Sequence, residues 1–229
     1  MRTELDDALT MDKAEDMVRK AAQNGAQVVC LPEMFSCPYD NAYFAGGKAR
    51  QRETVASLSA WARANRVILI GGSIPEEENG RLYNTSFIFN GSGEMIARHR
   101  KIHLFDVDLP GMRFQESASF SAGEEITVFD TPFGRFGVAI CFDVRFPELF
   151  RAMARRGAEM IFCRRSLTEK PGLPTGRSPC ACVRWITKSL LQGHQRHGTK
   201  AFPMNAGAIL WLRILMERLS PPVMKRSRS

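Results

Sequence analysis

Cys141, Glu33 and Lys101 are the residues of this 229-residue chain whose types and settings could do chemistry: a thiol, a carboxylate and an ammonium. Gly137 to Ile140 read as a short apolar strand and Pro147 suits a first helical position, so Cys141 stands where one element hands over to the next. A helix starting there would direct its positive end towards the sulfur and lower the thiol pKa, giving a reactive thiolate. Glu33 follows the apolar run Gln27 to Leu31 and falls at the carboxyl edge of a strand, where open α/β sheets gather their chemistry. Lys101 sits in the basic run HRKIH, with Ile102 and Leu104 following at period two. Taken singly, each residue also has a plainer reading: a small buried residue at a strand end, a solvated loop carboxylate and a solvated surface charge.

The elements that must position these side chains alternate helix and strand. From Asp12 the residues Ala14, Met17, Val18, Ala21 and Ala22 keep helical spacing, with Gly25 as the stop before the Gln27 to Leu31 strand. Glu53 to Arg66 predicts a second helix, with Val55, Leu58, Trp61 and Ala62 on one face, leading into a buried-type strand at Val67 to Ile70. Ser86 to Phe89 and Glu94 to Arg98 predict a hairpin closed by Asn90, Gly91, Ser92 and Gly93. Phe105 to Ser119 reads as a long polar loop with Glu116 near its end. Beyond it, strands are expected at Glu125 to Phe129, Phe136 to Ile140 and Met160 to Cys163, with a helix from Pro147 to Arg156 stopped by Gly157.

A hydrophobic content of 44% supports one sizeable α/β domain. The most apolar late run, Gly207 to Met216, is short and interrupted by Arg213, and nothing at the start resembles a signal peptide, so no membrane partner is expected. Six cysteines, several inside apolar runs, point to a reducing cytosol and a cytoplasmic protein rather than a disulfide scaffold. Charge is unevenly placed. Residues 1–163 carry 19 Lys and Arg against 22 Asp and Glu, whereas residues 164–229 carry 13 against 2. A basic segment of that kind can bind nucleic acid or a membrane surface.

Glu33, Lys101 and Cys141 lie in that order in the contexts VVCLPEMF, RKIHLFD and GVAICFDVRFPEL. Residues 13–163 thereby resemble the nitrilase, or carbon–nitrogen hydrolase, superfamily. GGSIPEE at Gly71 to Glu77, LYNTS at Leu82 to Ser86 and FQES at Phe114 to Ser117 are most similar to its omega-amidase branch. The resemblance implies an αββα sandwich and hydrolysis of a small linear amide, a dicarboxylic acid monoamide, to carboxylate and ammonia through a cysteine thioester. It implies Cys141 as nucleophile, Glu33 as general base and acid, and Lys101 with the backbone N–H of Phe142 as oxyanion donors. Glu116 would orient Lys101. No metal or organic cofactor is implied. Substrates of this branch carry a second carboxylate, for which Tyr43 and Arg145 are candidates by position. Another amidase of the superfamily, or a nitrilase, is the alternative, and the family usually forms homodimers.

The chain departs from the family pattern at both ends, so the sandwich is expected to be incomplete there. Met1 to Met11 is polar where a buried strand is expected, and after Cys163 the family motifs GPAHWE, RAxDNQ and WGHS are absent. Residues 164–229 read as a shifted frame of the same domain: one shift lets Lys170 to Arg177 encode TGPAHWE, Ala181 to Ser189 encode LRAVDNQV, and Lys200 to Leu212 encode GFPYECWGHSM. The shift also explains the sudden loss of acidic residues without any selected basic partner, and it leads us to expect weak or absent activity and a doubtful dimer. The competing reading is a zinc or nucleic-acid module. Its ligands would be Cys180, Cys182, His194 and His197, but one residue between the cysteines and two between the histidines is poor zinc spacing. Aromatic interleaving with the basic run would rest on Trp185 and Trp211. Sequencing the coding DNA decides between them: the codons are expected to permit all three shifted motifs, and in-frame codons incompatible with them end the frameshift reading.

Overall fold

The helical spacing that starts the chain continues further back than Asp12. In the computed structural model, which describes residues 7–110 and 112–164, α1 runs Asp7–Gln23. Thr10, Ala14 and Val18, four residues apart, are fully buried along one face. Residues 7–11, part of the polar stretch that lacks the strand of the family pattern, are helix. Met17, expected on the buried face, is instead exposed. Gly25 stops the helix at φ +84°, its N–H donating to the Ala22 carbonyl while that of Ala26 donates to Ala21.

Five strands form the first sheet: β1 (Val28–Cys30), β2 (Ile68–Ile70), β3 (Ile74–Glu78), β4 (Arg81–Phe89) and β5 (Met95–Arg100). Their order is β1-β2-β4-β3, with β5 also paired to β4; β1 and β2 are parallel, and β4 is antiparallel to its three partners. The strand β3 was not anticipated, because Pro75 breaks the pattern; it sits at the end of the sheet order, where a residue lacking an N–H is tolerated. The expected Asn90 to Gly93 turn joins β4 to β5, with Asn90 Oδ1 accepting the N–H groups of Ser92 and Glu94.

A second sheet has the order β10-β9-β8, formed by β8 (Val128–Thr131), β9 (Gly134–Ile140) and β10 (Met160–Arg164), with β9 and β10 parallel. The first of these starts at Val128 rather than Glu125. The segment expected as a long loop is a hairpin instead, β6 (Asp106–Leu109) with β7 (Met112–Gln115), followed by one 3-10 turn at Glu116–Ala118. Three more helices complete the described residues: α2 (Asn41–Ala49), which was not anticipated, α3 (Gln51–Asn65) and α4 (Pro147–Arg155).

The layers follow from which faces are apolar. Ala14 and Val18 of α1 and Leu58, Trp61 and Ala62 of α3 pack on Leu69, Phe87 and Phe89 of the first sheet. On the other side, Leu149, Phe150 and Met153 of α4 pack on Ala139 and Ile161 of the second. Each Val, Leu, Ile, Phe or Met side chain among them, taken fully from water, stabilises by about 1.5–3 kcal/mol. The uncovered sheet faces meet: Ile70 and Ser86 of the first sheet and Val138 and Ile140 of the second line a crevice together with Gly72, Ser73 and Glu33. The arrangement is helix, sheet, sheet, helix, an αββα sandwich, and no helix among the described residues is long and apolar enough to cross a membrane. Cys180, Cys182, His194, His197 and the three shifted motifs lie outside the described residues.

One glycine ties this architecture to the chemistry. Gly72 has φ +62°, and a Cβ there would lie 2.0 Å from the Pro32 carbonyl oxygen, beside Glu33. Gly72→Ala is expected to lower stability by more than about 1 kcal/mol in thermal or denaturant unfolding, and an unchanged midpoint would show that the Pro32 turn moves aside freely.

Candidate active site

Strand ends bring the charged residues together. Glu33 follows β1, where the Leu31 N–H donates to the Ile70 carbonyl at 2.9 Å and the Ser73 N–H to the Pro32 carbonyl at 3.2 Å. Met34 then takes φ +47°, with its N–H on Ser73 Oγ at 3.1 Å. Lys101 is the first residue past β5, its backbone N–H on the Asn84 carbonyl at 2.9 Å. Cys141 follows β9 at φ +48° and opens a 3-10 turn, Cys141–Arg145, that separates the strand from α4. Two non-glycine residues in the left-handed region, each beside a candidate catalytic group, are strain that the surrounding fold must hold in place.

The Lys101 side chain is wholly buried and places its ammonium between two buried carboxylates. Nζ donates to Glu33 Oε1 at 2.9 Å, Glu116 Oε2 at 2.8 Å and the Tyr39 hydroxyl at 3.3 Å. Asn84 Nδ2 donates to both acids, at 3.1 Å to Glu33 and 2.9 Å to Glu116. Glu116 Oε2 also accepts the Phe105 N–H at 2.7 Å. Burial alone would push the Lys101 pKa down, but Glu33, Cys141 and Glu116 more than offset it and hold the ammonium above the ordinary lysine value. Tyr39 is pushed up by burial and by the same acids, so its phenol stays protonated.

The sulfur does not behave as a helix end alone would make it. Cys141 is half-buried, and its pKa is raised well above the ordinary thiol value, first by burial, then by the Glu33 carboxylate, with Lys101 only partly opposing them. The lowered thiol pKa expected from the sequence is thereby corrected: the long helix does not start at Cys141, and two carboxylates outweigh one ammonium nearby. A protonated thiol beside a carboxylate is the setting for a general base to take its proton as the sulfur attacks.

Of the residues singled out in the sequence, Glu33, Lys101 and Glu116 are in direct contact and Cys141 lies within their electrostatic reach. Phe142 falls in the first turn after Cys141, where N–H groups lack an intrahelical acceptor. Tyr43, on α2, and Arg145 are exposed and stand outside the buried cluster. Asn84 and Tyr39 were not picked out. The LYNTS match was a usable signal for Asn84, which precedes the apolar run Phe87 to Phe89: Phe87 and Phe89 face the helices, so strand alternation turns Asn84 to the opposite face. Nothing local marks Tyr39, which reaches Lys101 from the loop before α2. Its ring begins a series of aromatic contacts, Tyr39 with Phe114 at 5.2 Å, Phe114 with Phe105 at 6.2 Å and Phe105 with Phe142 at 5.2 Å, that joins the β6–β7 hairpin to the Cys141 turn.

Comparison with known proteins gives a consistent result. The carbon-nitrogen hydrolase family model matches residues 1–185. Omega-amidase NIT2-B of Xenopus laevis is 46% identical over 153 residues, 66% of this chain and 55% of that protein. The crystal structure of Saccharomyces cerevisiae Nit3, of branch 10 of the nitrilase superfamily, superposes with TM-score 0.65 and 34% identity over 73% of this chain and 62% of its own. A mutant amidase from Nesterenkonia sp. AN1, with acrylamide added at its active-site cysteine, superposes with TM-score 0.65 and 26% identity over 75% of this chain and 66% of its own. The chain spans about half the length of the curated relatives it matches.

The charges around the sulfur make a signed prediction. Glu33→Gln removes a group that raises the thiol pKa, so the pH midpoint of Cys141 alkylation is expected to fall; Lys101→Met removes a group that lowers it, so the midpoint is expected to rise. Shifts of about one pH unit or more are expected, and midpoints that stay put in both variants would show that neither group faces the sulfur.

Proposed function

The chain belongs to the carbon–nitrogen hydrolase family, and from that premise we propose that its site hydrolyses a small linear amide, of the dicarboxylic monoamide type, to a carboxylate and ammonia. The observation that carries the reading is the buried Glu33–Lys101–Glu116 group beside a thiol that keeps its proton. An amide has a poor electrophilic carbon and a poor leaving group, so division into acylation and deacylation through a thioester lowers each barrier.

In the proposed course Glu33 takes the Cys141 proton as the sulfur attacks the amide carbon. The tetrahedral oxyanion is met by Lys101 and by the Phe142 N–H. Of the three Lys101 donor contacts, the one to Tyr39 is the longest, and it is the contact a substrate oxygen can take over without separating either acid from the ammonium. Collapse breaks the C–N bond, the nitrogen leaving as ammonia with the proton held by Glu33. The same carboxylate then takes a proton from the water that attacks the thioester, and returns it to the sulfur as the acid is released. Glu116, Asn84 and the Phe105 N–H keep the ammonium and the acids in register throughout.

A second substrate carboxylate requires a donor of positive charge or a polar hydroxyl. Arg145, exposed at the far end of the Cys141 turn, and Tyr43 on α2 remain the candidates of suitable chemistry. A cytosolic setting fits Cys30, Cys37, Cys141 and Cys163 standing as thiols. The shifted-frame reading of residues 164–229 lowers the turnover proposed for this chain. Ammonia release from short dicarboxylic monoamides by the purified chain is thus expected to be weak and to vanish in Cys141→Ala, with Glu33→Gln lowering kcat by about 10²-fold or more. Release that survives Cys141→Ala ends the thioester reading.

A further inference from the structure

Asp143 is a fully buried carboxylate outside the group that holds Lys101, and its oxygens face two separate segments of chain. Oδ2 accepts the N–H of Ile140, the last residue of β9, at 2.9 Å. Oδ1 accepts the His103 N–H at 2.9 Å and faces His103 Nδ1 at 2.8 Å. His99 Nε2 stands 3.7 Å from Oδ2, too far for a hydrogen bond but close enough for an electrostatic contact. Burial would push the Asp143 carboxyl up, yet His99 and the N–H groups of Ile140 and His103 hold it below the usual carboxylate range. The group is ionised and can only accept.

These partners bracket the candidate catalytic residues. Ile140 immediately precedes Cys141, while His99 and His103 lie two residues to either side of Lys101. Both histidines are fixed from behind. His99 Nδ1 is 3.0 Å from Thr127 Oγ1, whose own proton goes to the Arg98 carbonyl at 3.1 Å, so Nδ1 is the donor of that pair. The His103 ring stacks on Phe146 at 3.5 Å and 7°. Cys141 itself is in the left-handed region and needs an external hold. We infer that Asp143 is a positioning residue that locks the Cys141 turn onto the Lys101 segment and so keeps the sulfur against Glu33 and the ammonium. The inference rests on the roles proposed above for those three residues, and it predicts that Asp143 acts on the geometry of the site rather than on the stability of the whole sandwich.

The test is iodoacetamide alkylation of the full chain, followed for each cysteine peptide by mass spectrometry from neutral to alkaline pH, in wild type, Asp143→Asn and His103→Phe. Cys37, 1% exposed and packed with Met34, Phe44 and Phe120, reports on the fold at large. With the lock removed, Cys141 is expected to react roughly tenfold faster and its pH midpoint to fall towards the ordinary thiol value, while Cys37 keeps its wild-type rate. The proposal is overturned if the Cys141 rate and midpoint do not move in either variant, or if Cys37 opens with Cys141 in both. Should Asp143→Asn fail to fold, His103→Phe decides alone, since it keeps a ring on Phe146 and removes only the side-chain donor. The amidase reading fails separately: ammonia release that survives Cys141→Ala would sink it and leave the alkylation result standing.

Discussion

A wholly buried ammonium held between two buried carboxylates is the interaction on which the rest of this structure depends. Taking Lys101, Glu33 and Glu116 out of water costs several kcal/mol per ion, and only close pairing with full hydrogen bonding offsets it. The structure supplies that pairing at 2.8 and 2.9 Å, with Asn84 satisfying the other face of both acids. Because the three ions come from stretches far apart in the chain, the cluster forms only when both the first sheet and the Phe105–Glu116 segment are in place. Removing one partner would leave an uncompensated buried charge, a loss of about 3–5 kcal/mol. The same setting acts on the thiol: burial first, and then two negative charges against one positive, hold the Cys141 pKa above the ordinary thiol value.

Strain and its supports are arranged around that cluster. Met34, next to Glu33, and Cys141 itself both hold left-handed backbone at the candidate site. Each is braced by a buried polar side chain, Ser73 for the first and Asp143 for the second. Gly72 allows the Pro32 carbonyl to approach closely enough to set the Glu33 turn. The aromatic series from Tyr39 to Phe142 closes the remaining side, so the hairpin β6–β7 is part of the wall of the site and not a passive loop. Family membership and geometry agree here. A fold that presents strand ends to a crevice between two sheets gives a thiol, a base and an ammonium one common approach.

The helices α1, α3 and α4 were legible because burial on one face imposes a period, and β2 and β9 because burial on both faces leaves a continuous apolar run. The elements that escaped were those whose signal is local and mixed. The strand β3 holds a proline at a position that only its place at the end of the sheet order permits. Exposed residues along β6 hide a strand pairing behind loop-like composition. For α2, the pair Gly46 and Gly47 argues against a helix, but Gly47 packs where a Cβ would come within 2.9 Å of Pro75.

By itself the sequence determined which residue types were available for chemistry and in what order: a carboxylate after β1, a lysine after β5 and a cysteine after β9, each in a context that named the family. Periodicity and motif are properties of neighbouring residues, and these needed no third dimension. Only the tertiary structure decided how those groups act on one another. Asn84 and Tyr39 join the site across dozens of residues, and the thiol pKa changes direction because burial and the Glu33 carboxylate, neither visible in the stretch around Cys141, outweigh the local helix end. Electrostatic effects depend on distance in space and on the water removed from between charges, and sequence separation carries neither.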